Sequence, residues 1–231
     1  MAQEIGRVER PSAGQYRGKR KLLLVPLMHL PPDDAQEGLA ILEKYWDQVR
    51  HQIAALEARL GGLRHIFCES LPVGGTEGLE YLAMGDRHSF LLVKARCEAG
   101  AMLQTTEDQA TLMEALDLQR LLMLPLASEK VARRVHDWFT EANQSRYEHI
   151  ARQINTMLGE DETGLLLISE RHHVQFPPDI EVFYVAPPAL DEYRRWLRNW
   201  VSRREQSPDP GDDSVPSARP EGAATQSRPA E

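Results

Sequence analysis

The chain has 231 residues, of which 42% are hydrophobic and 27% charged, and its formal net charge is −8. That length and composition suit one substantial globular domain, and the acidic balance excludes a general nucleic-acid binder because nothing offsets phosphate repulsion. Two cysteines, Cys68 and Cys97, are too few for a disulfide framework or a four-cysteine zinc site. Each is expected to serve as a small buried side chain.

Residues 1–19 are polar and predict a flexible arm. They lack the apolar core of a secretory signal. No apolar run reaches the about 20 residues of a membrane span, so a soluble, cytoplasmic protein with no membrane partner is expected. KLLLVPLM (21–28) is an unbroken apolar run of strand length, the pattern of a strand covered on both faces, and it ends at His29. After LPPDD, the residues Leu39, Leu42, Trp46, Val49, Ile53, Leu56 and Leu60 step by three and four and predict an amphipathic helix. Gly61 and Gly62 stop it. The same spacing offers a seam for a homodimer through the 39–60 helix, although a strand following at once favours packing on a sheet.

LRHIFCES (63–70) predicts a second strand, ending at Glu69. The glycine-rich GGTEG (74–78) lacks the Lys and Ser/Thr of a phosphate-binding loop and reads as a turn, with helix following through about Glu98. AMLQTTED (101–108) predicts a further strand, with Thr105 or Thr106 capping the next helix. Glu107 and Asp108 then favour the helix dipole at its start. Ser128 is placed to cap a long amphipathic helix reaching about Leu158, with Val131, Val135, Trp138, Ala142 and Ile150 on its apolar side. Trp138, Trp196 and Trp200 fit core packing. TGLLLISE and IEVFYVAP (180–187) predict two more strands, and ALDEYRRWLRNWV a closing helix. From residue 204 the chain is rich in Pro, Ser and acids, with no aromatic residue, which predicts a disordered tail over 204–231. Alternating strands and helices imply an α/β fold over 20–203, one domain with a parallel or mixed sheet flanked by helices.

Three apolar runs end in polar chemistry: the first at His29, the second at Glu69, the third at Glu170, Arg171, His172 and His173. In an open α/β sheet, ligands bind outside the carboxyl ends of the strands. Parallel strands would bring these ends to one edge, where histidine and carboxylate can hold a divalent metal or move protons near neutral pH. Each could equally mark a strand meeting solvent. If the third strand continues, His172 and His173 point to opposite faces, so one of them faces the crevice. Arg146 lies on the long helix, either on a solvated face or within reach of the sheet edge. The motifs HExxH, GxSxG, GxGxxG and CxxC are absent.

In the order of its elements, the sequence resembles the TraB/TIKI group and the related erythromycin-esterase-like and heme-binding ChaN-like proteins. The pieces that carry the resemblance are VPLMH (25–29), HIFCES (65–70), SRYEHIARQI (145–154) and LLLISERHH (165–173), spanning roughly residues 20–190. Val25-Pro26 and Ser169-Glu170 stand where those families carry glycine. The resemblance implies a metal-assisted hydrolase. In it, His29 with His172 or His173 would ligate a divalent cation or position water, Glu69 would act as ligand or general base, and Arg146 would hold an anionic group. The alternative is a non-enzymatic α/β module binding a small molecule or peptide.

Overall fold

The computed structural model describes residues 16–28, 30–32 and 35–206. His29 lies outside these residues. So do the arm expected over 1–19, apart from its last four residues, and the expected tail, apart from its first three, which continue the closing helix. Five strands form one sheet: β1 (Arg20–Leu27), β2 (Leu63–Cys68), β3 (Met102–Leu103), β4 (Thr163–Ser169) and β5 (Ile180–Tyr184). Their order is β3-β2-β4-β1-β5, and every pairing is parallel. The fold is α/β, as the alternation of elements predicts, with an all-parallel sheet.

The six helices are α1 (Gln36–Leu60), α2 (Gly75–Ala83), α3 (Arg87–Glu98), α4 (Gln109–Leu122), α5 (Glu129–Met157) and α6 (Pro188–Gln206). Strand residues alternate between two cores because successive side chains leave opposite faces of a sheet. Leu23, Val25, Ile66, Leu165 and Leu167 pack on one face with α1, α3 and α6. Leu22, Leu24, Phe67, Leu166 and Ile168 pack on the other with Ile150, Ile154 and Leu158 of α5 and its end. Of the α1 seam, Leu42, Trp46, Val49 and Ile53 are buried in the first core.

Pro26 sits inside β1 without breaking the sheet. Lys21 donates its amide to Glu162 toward β4, whereas the Leu24 carbonyl accepts from Val185 on the β5 side. Backbone groups alternate along a strand, so the amide Pro26 lacks would face β5, whose pairing with β1 stops at Tyr184. The Pro26 carbonyl on that side accepts instead from the Tyr45 hydroxyl at 2.6 Å.

Several local expectations need correction. The strand over 101–108 shrinks to Met102–Leu103. Neither Thr105 nor Thr106 caps α4: Asp108 does, accepting from the Thr111 amide. Thr106 is buried and spends its hydroxyl on the Cys68 amide at 3.1 Å. The glycine-rich turn is short, because α2 already begins at Gly75. A second helix starts after Asp86, which accepts from the His88 and Ser89 amides. Ser128 caps α5 as expected. Trp138 and Val131, however, are 50% and 47% exposed. The first half of α5 packs with α4 in a small separate cluster of Ala115, Leu118, Val135 and Ala142, and that narrow seam leaves its flanks open.

Candidate functional site

Parallel pairing sets the carboxyl ends of β2, β4 and β1 side by side, with β4 in the middle. Leu27 stands opposite Ser169, and Cys68 opposite Leu167. Glu69 follows β2, and its amide extends the ladder by donating to the Leu167 carbonyl at 2.8 Å. Its carboxylate accepts from the Ser169 amide at 2.6 Å and from the Ser169 hydroxyl at 3.2 Å. The Arg146 guanidinium lies 3.8 Å away.

Arg146 reaches the sheet edge from α5, the second of the two placements its position allowed. Its main partner is Glu107, which is entirely buried. Nε donates to Glu107 Oε2 at 3.0 Å, and Nη2 donates to Oε1 in the second arm of a bidentate pair. Nη1 donates to Asn143 Oδ1 at 2.9 Å. Burial opposes the Arg146 charge, but the hydrogen bonds and charge of Glu107, then the charge of Glu69, outweigh it and hold its pKa above the ordinary arginine value. The chain turns at Ser70 with φ +63°, and the Ser70 amide donates to Glu107 Oε1 at 3.0 Å. A left-handed non-glycine residue is uncommon, and here the turn aims a backbone donor at a buried carboxylate.

Tyr147, the next residue on α5, lies beside the Ser169 side chain. Burial, then the Glu69 charge, raises its phenol above the ordinary tyrosine pKa. Past β4, the two histidines separate. His172 is half-buried against Phe176, and its Nδ1 accepts from the Val174 amide at 3.2 Å. Burial, then His173, lowers its pKa, so it is neutral at neutral pH with the proton on Nε2. His173 is exposed and meets the Tyr147 ring edge-on, centroids 6.1 Å apart.

Glu69 and Arg146 therefore come together, with His173 beside the neighbouring Tyr147, whereas His172 turns into the second core. His29 lies outside the described residues. Among those residues, no three His, Cys, Asp or Glu side chains gather closely enough to hold a metal ion. Four participants were not read from the sequence: Glu107, Ser169, Asn143 and Tyr147. Glu107 left one signal. A helix start needs a single capping acid, and Asp108 fills that place.

A groove of about 820 Å³ runs along α5 beside this network, walled by Phe139, Asn143 and Tyr147 and edged by His136, Arg171 and His173. Of its wall residues, Asn143 is the one tied to Arg146, and Tyr147 the one beside Ser169. The class defined by fold and site is thus a parallel-sheet α/β protein with a buried carboxylate–guanidinium network at the carboxyl edge, next to an open groove. Comparisons with protein-family models, curated proteins and solved structures find no match. Among the described residues no helix is long and apolar enough to cross a membrane.

Proposed function

We propose that the protein binds a small molecule in the groove along α5, and that the Glu69–Arg146–Glu107 network is the scaffold holding the groove wall. One observation carries the reading: Asn143 lines the groove and is bonded to Arg146 of that buried network, and Tyr147 lines it beside Ser169, which donates to Glu69. A wall fixed from behind keeps its polar groups in place before a ligand arrives, which lowers the ordering cost of binding. The place also fits, because the carboxyl edge of a parallel sheet is where α/β folds bind ligands. Thermal unfolding in the presence of indole, benzoate, phenyl phosphate or benzylamine tests this. At least one should raise the melting temperature of the native protein and have no effect on Ala151→Trp, which fills the groove. Four null results would remove the reading.

A second reading, a hydrolase, is favoured by His173. Its exposed imidazole stands in the same groove beside the Tyr147 phenol, where a base could take a proton from water. The resemblance to the TraB/TIKI and erythromycin-esterase-like proteins points to the same reaction class. Glu69 is tied by the two donors of Ser169 and the charge of Arg146 in this arrangement and acts as a positioning group. Turnover of p-nitrophenyl acetate or p-nitrophenyl phosphate, reduced about 100-fold in His173→Ala, is the expected result. No turnover leaves binding as the function.

A further inference from the structure

We infer that the groove takes a molecule with a single anionic head, a carboxylate or phosphate, on a flat apolar body, and that Arg171 holds the head. This rests on the groove being the ligand site. Its volume of about 820 Å³ lies within the range usual for small-molecule pockets. Phe139, Tyr147 and Ala151 supply apolar and aromatic surface for the body.

The charges decide the head. Among the described residues the Arg171 guanidinium has no hydrogen bond and no ion pair, although the chain carries 35 acidic residues against 27 Lys and Arg. Its neighbour Glu170 is taken by Arg194. Glu148, the carboxylate of the groove, accepts from Gln144 at 3.1 Å and lies 4.0 Å from Arg152. Among the described residues, Arg171 is therefore the groove cation without a partner. A guanidinium offers paired donors that match a carboxylate or phosphate in two-point geometry. His173 and His136 on the same rim add ring donors, so a head seated on Arg171 meets no carboxylate without a partner of its own.

Calorimetric titration with 2-naphthoate, 2-naphthyl phosphate and the neutral 2-naphthamide tests the inference on the full chain. The two anions should bind about tenfold or more tighter than the amide, the margin of one charge-assisted hydrogen bond. The stronger of the two identifies the head. In Arg171→Gln that margin should vanish while amide binding is retained, since the apolar walls are untouched. Equal binding of all three to the native protein would overturn the anionic head and leave the groove reading intact. Binding of the anions that survives both Arg171→Gln and Ala151→Trp would place them elsewhere and overturn the inference as well. If none of the three binds, the inference fails, whereas the groove reading fails only with the whole fragment set.

Discussion

Glu107 is wholly enclosed, and its charge is tolerable only because Arg146 meets it with two hydrogen bonds and the Ser70 amide with a third. Removing one partner of such a pair leaves a charge buried without compensation, which costs more than the pair itself contributes. Arg146→Ala should therefore lose about 3–5 kcal/mol in urea unfolding. Arg146→Met combined with Glu107→Gln should recover part of that loss, because no naked carboxylate remains. A double variant no better than the single one would show that packing, and not charge, dominates. A second residue, Asp161, sets a pH dependence. Its carboxylate lies below the usual range because it accepts from Lys21 Nζ and then from the Gly18 amide. A carboxyl with a depressed folded pKa stabilises the protein above its unfolded value, about 3.9, and that contribution disappears as pH falls through the folded value. Asp161→Asn, which also tolerates the φ of +59° there, should melt earlier than the native protein at pH 7. The gap should close as the pH falls below about 4. A gap that persists in acid would assign the effect to something other than charge.

Between elements, α1 approaches α6 closely at Gly38. A Cβ added at Gly38 would stand 2.2 Å from the Trp196 ring, inside any real contact distance. Trp196 is buried and wedged between Tyr193 and Trp200, so it has little room to yield. Helix propensity alone would make Gly38→Ala stabilising by about 1 kcal/mol, whereas overpacking typically costs about 1–3 kcal/mol. The clash should win. A lowered melting temperature together with a shifted tryptophan emission is the expected outcome, and a raised melting temperature would show that the helices can separate freely. The same interface explains which parts of the sequence were readable. Periodicities of two and three-to-four come from burial on one or two sides, so β1, α1 and β4 were legible to within a few residues. Trp138 was misread because a helix can have an apolar stripe wider than the partner that covers it, and α4 covers only part of the stripe on α5.

Across the molecule, the sheet edge was legible as a place and not as a network. Three polar strand ends in a parallel pattern pointed to it. The groups that complete it, Glu107 and Ser169, are distant in sequence and resemble ordinary capping and strand-end residues until the chain has folded. Arg146 carried both readings because α5 packs on the sheet with its second half only. Pro26 is accommodated within β1 because its missing donor would face the shorter neighbour. The strand lengths have one more consequence. TGLLLIS, a run without charge or proline of the kind that can seed cross-β aggregation, forms β4 and is paired on both sides in the middle of the sheet. At the rims, β3 is two residues long. β5 is five, with the Glu181 charge at its second position and prolines closely before and after it. Among the described residues, neither rim presents a long row of free backbone groups on which another chain could add a strand, so the fold shields this uncharged central strand from its own copies.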